Sequence, residues 1–227
     1  MTTSNKINNS KRYTNNVKEK TIAVKPNKSF TITGSQRVFI TGKTGSGKTT
    51  LAKYLLANAK HLIVINGKNS SSLKEEWYLE DYKKSDLNLL RTHDKDFRIQ
   101  LIDNMEDIIT VLSLAYEFGS CVIYIDEVTA TIPPSTKPPQ IFTDIWVRGR
   151  DRKIGGWANT QRPSAIPLIF LSEAEHLFMF RLNLENDRKR CAEVMGKGVL
   201  TPVKDIHGFY YYNDLKGNLS YYPRLDV

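Results

Sequence analysis

The chain has 227 residues and a mass of 26.0 kDa, with 40% hydrophobic and 25% charged residues, a composition typical of globular proteins. Its two cysteines, Cys121 and Cys191, exclude a disulfide framework and a four-cysteine zinc site, and they are typical of a reducing compartment. No apolar run approaches the roughly 18 residues that cross a bilayer, so no membrane span is predicted.

The net charge of +9 is distributed unevenly along the chain. Residues 1–40 carry eight basic side chains and one acid, whereas the rest of the chain carries 25 basic and 23 acidic residues. A basic arm indicates an acidic polymer such as nucleic acid as partner, although a solvated tail that aids solubility explains it equally well. Residues 1–20 are predicted to be a flexible arm ahead of a single domain over residues 21–227.

From residue 21 onward, short apolar runs alternate with helical patterns, which is typical of an α/β domain with a mainly parallel sheet flanked by helices. Two short edge strands are predicted first, at 21–24 and 29–33. The strands predicted for the main sheet are 37–41, 61–66, 98–102, 121–125, 155–160 and 176–182. The predicted helices are 49–60, 73–84, 105–118, 140–148 and 185–195. A tyrosine-rich segment, 208–223, is predicted to be a small β-hairpin appended to the domain.

The strongest motif lies between the first main strand and the first long helix. Its sequence, Gly-Lys-Thr-Gly-Ser-Gly-Lys-Thr at 42–49, fits the phosphate-binding loop G-x-x-x-x-G-K-[ST] in the strand–turn–helix context that the motif requires. Lys48 is expected to neutralise the β- and γ-phosphates of a nucleotide, and the Thr49 hydroxyl to bind Mg²⁺. Backbone amides and the helix dipole would face the phosphate oxygens. The predicted nucleotide-binding residues are Gly42, Lys43, Thr44, Gly45, Ser46, Gly47, Lys48, Thr49 and Thr50.

Two adjacent acids follow the most apolar predicted strand, which runs into Ile-Asp-Glu at 125–127. Because the carboxyl ends of parallel strands meet at one sheet edge, Asp126 is expected to bind Mg²⁺ together with Thr49. Glu127 is expected to accept the proton of an attacking water. A solvated surface pair is the alternative interpretation. The pair favours ATP hydrolysis over transfer to another substrate, and ATP and Mg²⁺ are the predicted cofactors.

A third segment combines arginines with a strand that ends in Thr-Gln. Gln161 is expected to lie beside the phosphate site, where its amide would sense the γ-phosphate or orient the water. Arg148, Arg150 and Arg152 lie just upstream, at the end of a predicted helix. One of them could act as an arginine finger toward the nucleotide of a neighbouring subunit. A solvated face or a DNA-binding patch explains these charges equally well.

Taken in order, these motifs resemble those of the HerA/FtsK superfamily of DNA-pumping ATPases: the phosphate-binding loop, Ile-Asp-Glu, Arg-Gly-Arg and Thr-Gln-Arg-Pro. The compact size is similar to that of the genome-packaging ATPases of tailless, membrane-containing double-stranded DNA viruses. The resemblance covers roughly residues 37–182 and implies a RecA-like P-loop NTPase fold of the ASCE class, with strand order 5-1-4-3-2. It also implies a homo-oligomeric ring of about five or six subunits. In such a ring Arg150, or as next candidate Arg148, would reach the neighbour's nucleotide.

The function implied by the resemblance is ATP-driven translocation of double-stranded DNA into a preformed viral capsid. Capsid vertex proteins would be further partners, and the packaging vertex of the virion and the host cytoplasm are the expected locations. A DNA-transfer or segregation ATPase of a plasmid or mobile element fits the same motifs. A P-loop kinase without translocation is the alternative from another class, and the Asp126–Glu127 pair counts against it.

Overall fold

A computed structural model of the protein describes residues 20–23, 29–102 and 104–224. The predicted N-terminal arm therefore lies outside the described residues, apart from Lys20. The two predicted edge strands are present as β1 (Lys20–Ala23) and β2 (Ser29–Ile32), which pair antiparallel in a small sheet of their own.

The main sheet has nine strands among the described residues. They are β3 (Val38–Thr41), β4 (His61–Ile65), β5 (Glu80–Asp81), β6 (Phe97–Leu101), β7 (Val122–Ile125), β8 (Gly155–Thr160), β9 (His176–Phe180), β10 (Phe209–Asn213) and β11 (Asn218–Tyr222). Their order across the sheet is β11-β10-β9-β3-β8-β7-β4-β6-β5. All neighbours from β9 to β5 are parallel. If β3, β4, β7, β8 and β9 are counted as core strands 1 to 5, the run β9-β3-β8-β7-β4 has the predicted order 5-1-4-3-2. The RecA-like α/β fold class is therefore confirmed.

The helices cover both faces of this sheet. They are α1 (Lys48–Leu56), α2 (Ser71–Glu76), α3 (Leu87–Thr92), α4 (Met105–Phe118), α5 (Val128–Thr131), α6 (Gln140–Arg148), α7 (Ile169–Ser172) and α8 (Glu185–Met195). Side chains alternate between the faces of a strand, so Phe39 joins the apolar cluster under α4, α6, α7 and α8, while Val38 and Ile40 join the cluster under α1 and α2. None of the described helices is long and apolar enough to cross a membrane.

The predicted helix over 73–84 is wrong, because α2 ends at Glu76. Trp77 is buried with its ring 4.9 Å from that of Tyr124, and its carbonyl accepts a hydrogen bond from Nε of Arg98 at 3.1 Å. Tyr78 then takes a left-handed conformation, with φ at 53°. These contacts turn the chain toward the sheet, where β5 pairs with β6 as the edge strand.

The tyrosine-rich hairpin has the predicted strands and is continuous with the main sheet. β10 pairs antiparallel with β9 along five residues, from Phe209 opposite Phe180 to Asn213 opposite His176. Phe209 and Tyr211 are buried against Phe178. The hairpin therefore extends the sheet on the side of β9, next to the turn that follows β3.

Candidate active site

The turn between β3 and α1 has the geometry of a phosphate-binding loop. Gly47 caps α1 with φ at 102°, a left-handed conformation that favours glycine, and no side chain caps the first turn of this helix. Gly42 passes so close to β9 that a Cβ there would lie 2.6 Å from Cβ of Phe180. The hydroxyl of Ser46 is buried and has no partner among the described residues. The loop thus presents free donors where an anion would bind.

Lys48 points into this loop. The residue is only 7% exposed, and its Nζ donates to the carbonyl oxygen of Lys43 at 3.1 Å. The pKa of Lys48 is lowered to about 8, chiefly by burial. The negative charge of Glu127 opposes this shift, and the positive charge of Lys68 adds to it. A buried ammonium of this kind favours a bound anion, because an anion would offset the cost of desolvation.

Asp126 lies at the carboxyl end of β7, where two buried side chains hold it. The hydroxyl of Tyr124 donates to its Oδ1 at 3.0 Å, and Nδ2 of Asn159 donates to the same oxygen at 3.1 Å. The side chain of Thr49 hydrogen-bonds with Tyr124, and Thr49, Thr50 and Asp126 line one cavity of about 240 Å³. The structure therefore brings together the two residues predicted to bind Mg²⁺.

Glu127 has the most heavily hydrogen-bonded side chain of the site. The residue is 4% exposed and takes a left-handed conformation, φ 71°, that costs about 1–3 kcal/mol in a residue other than glycine. Its Oε1 accepts hydrogen bonds from the hydroxyls of Thr160 at 2.7 Å and Thr129 at 2.8 Å. The backbone N–H of Gln161 lies 3.2 Å from both carboxylate oxygens, and Nζ of Lys68 lies 3.2 Å from Oε2.

These contacts keep Glu127 ionised. Burial by itself raises the pKa of this carboxyl, but the hydrogen bonds from Thr160 and Thr129 and the charge of Lys68 outweigh burial, so the pKa lies below its ordinary value. A buried, ionised glutamate beside a phosphate-binding loop can accept a proton from water.

Gln161 connects Glu127 to the phosphate-binding loop. Its backbone N–H contacts Glu127, and its side-chain Oε1 accepts a hydrogen bond from the hydroxyl of Thr44 at 2.9 Å. The loop after β8 is held in turn by buried Asp187, which accepts from Nε of Arg162 at 3.1 Å and from the hydroxyl of Ser164 at 2.6 Å. The structure thus places Gln161 between Glu127 and the phosphate-binding loop.

The two arginines of the predicted site lie at the opposite edge of the sheet. Nη1 of Arg150 is 3.1 Å from Oε1 of Glu175, and Oε2 of the same carboxylate accepts a hydrogen bond from the backbone N–H of Arg37 just before β3. The four residues of β3 separate this edge from the phosphate-binding loop by about 13 Å. Arg148 has a 71% exposed side chain and lies 4.0 Å from Asp144. Neither arginine contacts the phosphate-binding loop of its own chain.

Three side chains of the site were not singled out from the sequence. Lys68, Tyr124 and Asn159 contact Glu127 or Asp126 directly. Tyr124 and Asn159 lie near the ends of β7 and β8, two residues before the predicted site residues Asp126 and Gln161 that directly follow these strands. The alternation of side chains along an extended chain places residues two apart on the same side, so it offers a usable signal. Lys68 carries no such signal, because its contact depends on β4 lying beside β7.

Comparisons with known proteins agree with this geometry. A family model described as ABC transporter matches residues 26–105, which include the phosphate-binding loop. No curated protein matches the chain in sequence. Among solved structures, the genome-packaging NTPase B204 of Sulfolobus turreted icosahedral virus 2, in complex with AMPPCP, is similar over 86% of this chain and 100% of that one, with 16% identity and a TM-score of 0.69. The chain has the fold of a P-loop ATPase.

Two further structures share this fold. The pCW3 conjugation coupling protein TcpA with ATPγS matches 88% of this chain and 63% of its own, with 10% identity and a TM-score of 0.65. VirB4 of Thermoanaerobacter pseudethanolicus matches 90% of this chain and 95% of its own, with 10% identity and a TM-score of 0.61. The predicted resemblance to P-loop ATPases is thereby confirmed at the level of the fold.

The contact between Lys68 and Glu127 makes the pH dependence of hydrolysis testable. Lys68 favours the ionised form of Glu127, so Lys68→Met raises the pKa of Glu127 and moves the acidic limb of the pH–rate profile to higher pH. Because Lys68 is 41% exposed, solvent screening keeps the effect modest. The matched control Lys68→Arg keeps the charge and should leave the limb in place. The same acidic limb in all three proteins would show that Lys68 does not set the ionisation of Glu127.

Proposed function

We propose that the chain is an ATP-hydrolysing translocase of double-stranded DNA, a member of the HerA/FtsK superfamily that packages a viral genome into a preformed capsid. The observation that carries the enzymatic part is the buried, ionised Glu127, which is joined through Gln161 to the phosphate-binding loop. The packaging role is supported by the match to all of the B204 chain, a genome-packaging NTPase of similar extent.

In this proposal the nucleotide's phosphates lie in the loop over residues 42–50, against the amides of α1 and the ammonium of Lys48. Thr49 and Asp126 would hold Mg²⁺, which supplies positive charge to the phosphate oxygens. Glu127 accepts the proton of the water that attacks the γ-phosphate. Gln161 lies between Glu127 and Thr44, so loss of the γ-phosphate would move the loop after β8 through this contact.

The arginine that completes the site would come from a neighbouring subunit. Arg148 and Arg150 are about one strand length from the phosphate-binding loop of their own chain, so they fit a site formed between subunits of a ring. Arg148 is exposed and pairs with Asp144 alone among the described residues, whereas Arg150 must leave Glu175 to reach a phosphate. Either one could stabilise the transition-state charge on the neighbour's nucleotide.

The N-terminal arm is a further candidate for contact with DNA or with capsid vertex proteins. The first 40 residues, which include this arm, carry an excess of seven positive charges that would bind phosphates without regard to base sequence. The proposal places the protein at the packaging vertex of the virion and, before assembly, in the host cytoplasm.

The similarity to TcpA, a conjugation coupling protein, favours a second candidate function within the same class of motor. A DNA-transfer or segregation ATPase of a plasmid or mobile element would use the same phosphate-binding loop and the same pair of acids, Asp126 and Glu127. A P-loop kinase without translocation would use the loop and Asp126, but it would not need Glu127 as a base.

Two substitutions separate nucleotide binding from hydrolysis. Lys48→Ala should weaken ATP binding on the order of 100-fold, because the buried charge that faces the phosphates is lost. Glu127→Gln keeps the shape of the side chain and should bind ATP with nearly unchanged affinity while hydrolysing it about 10²–10⁴-fold more slowly. Equilibrium binding and steady-state phosphate release measure the two effects. Full turnover by Glu127→Gln would show that Glu127 is not the catalytic base.

Coupling to DNA is tested by the ATPase rate at increasing protein concentration, with and without long duplex DNA. A translocase with sites between subunits should be stimulated by DNA, and its rate per subunit should rise steeply with concentration. Closed-circular duplex of the same composition and single-stranded DNA serve as comparison substrates. A rate per subunit that is independent of both DNA and concentration would exclude the translocase and favour a monomeric enzyme such as a kinase.

A further inference from the structure

A small cavity lies beside the phosphate-binding loop, between α1 and the C-terminal part of the chain. Its volume is about 190 Å³, below the roughly 300–1,000 Å³ of a pocket for a whole drug-sized ligand, so it suits one part of a larger ligand. The residues that line it come from the N-terminal end of α1, the end of β9, the turn before β10 with the first residue of that strand, and the last described residue of the chain. They are Gly47, Thr50, Leu51, Phe180, His207, Phe209 and Arg224.

The cavity lies on the opposite side of β3 from the catalytic acids. Asp126, Glu127 and Gln161 follow β7 and β8, which are on one side of β3, whereas Phe180 and Phe209 belong to β9 and β10 on the other side. Lys48 and Glu127 lie where the γ-phosphate would bind. The other end of a nucleotide bound along the loop, which carries the sugar and the nucleobase, would therefore extend toward β9. Its base would therefore reach this cavity.

The walls of the cavity are suited to a flat, aromatic group. Phe180 and Phe209 are buried, with ring centroids 5.0 Å apart, and form an apolar floor. A Cβ at Gly47 would lie 3.5 Å from Cε1 of Phe180 and 3.5 Å from Nδ1 of His207, so both rings adjoin the phosphate-binding loop. His207 and Arg224 are exposed at the rim. Imidazole and guanidinium groups both stack on bases.

The turn that carries His207 is held in place by the hairpin. The backbone N–H of Gly208 donates to the carbonyl oxygen of Asp205 at 3.1 Å, and the carboxylate of Asp205 accepts a hydrogen bond from the hydroxyl of Tyr221 on β11. His207 itself has φ at 64°, in the left-handed region. The imidazole is thus positioned over the cavity before any ligand binds.

We propose that this cavity is the nucleobase subsite of the chain, in which the base stacks against His207 and Arg224 over the floor formed by Phe180 and Phe209. The proposal rests on the proposed function, because it requires a nucleoside triphosphate in the phosphate-binding loop. It gives the C-terminal hairpin a role in substrate binding in addition to its role in the sheet.

Stacking also determines which bases the subsite accepts. Every base has an aromatic face, so a site that binds mainly by stacking discriminates weakly among them. The described lining residues include no carboxylate, the group that would accept hydrogen bonds from guanine's ring N–H and amino group. We therefore expect ATP and GTP to bind with similar affinity, within about threefold of one another.

The experiment compares ATP, GTP and inorganic triphosphate, each with Mg²⁺, by calorimetric titration of the full chain. The test protein carries both His207→Asn and Arg224→Ala, since asparagine tolerates a left-handed backbone and the two changes remove the stacking groups at the rim. Phe180 is left unchanged because it packs in the core. Ile206→Ala is the matched control, an exposed neighbour of His207 that does not line the cavity. Thermal unfolding of each variant verifies the fold.

The proposal predicts that the unaltered chain binds ATP at least about 10-fold more tightly than inorganic triphosphate, the factor expected from one base stack. The double variant should lose about 10-fold in affinity for ATP and GTP while its affinity for inorganic triphosphate stays within about twofold. A loss shared equally by ATP and inorganic triphosphate, or unchanged ATP binding, would overturn the subsite. A preference above about 30-fold for either purine would overturn stacking as the mode of recognition. If the unaltered chain binds none of the three, the proposed function fails together with the subsite.

Discussion

The carboxylate of Glu127 is the interaction on which the site depends. A buried charge is costly unless it is paired and hydrogen-bonded, and Glu127 meets this requirement with donors from three separate segments: the turn after β4, the start of α5 and the end of β8. Because these donors must converge on one side chain, the carboxyl ends of β4, β7 and β8 are held in register. The left-handed backbone at Glu127 is a cost that this convergence offsets. Through Gln161 and Thr44 the same cluster extends to the phosphate-binding loop.

Around this cluster the parallel sheet separates the parts of the proposed reaction. The phosphate-binding loop, the pair proposed to bind Mg²⁺ and the proposed catalytic base Glu127 lie at the carboxyl edge, and the proposed nucleobase cavity lies beyond them on the side of β9. Arg148 and Arg150 lie near the amino edge, where Glu175 joins Arg150 to the buried Arg37. Under the proposed function, a single chain would therefore hold one site that lacks an arginine and, at a distance, the arginines that could complete another. This division is the structural basis for proposing that the active site is shared between subunits of a ring.

Local signals in the sequence were enough to predict many elements of the fold and several residues of the site. The helices over 105–118, 140–148 and 185–195 have the predicted bounds, because their apolar spacing and flanking residues define them locally. The loop and the Asp126–Glu127 pair were predictable because strand–turn motifs place them at one edge. Lys68 was not, since it is 59 residues from Glu127 and meets it only through the pairing of β4 with β7. The early end of α2 likewise depends on the contact of Trp77 with Tyr124, which no local pattern encodes.

The shared site is tested most directly by mixing two inactive proteins. Glu127→Gln lacks the base but keeps its arginines, whereas a chain with both Arg148→Ala and Arg150→Ala keeps the base but lacks the arginines. Each alone should hydrolyse ATP very slowly. In an equal mixture about one quarter of the sites would combine an intact base with a neighbour's intact arginines, so the account predicts ATPase activity well above the average of the two separate proteins. Activity equal to that average, with both proteins folded and mixed in one assembly, would contradict a site shared between subunits.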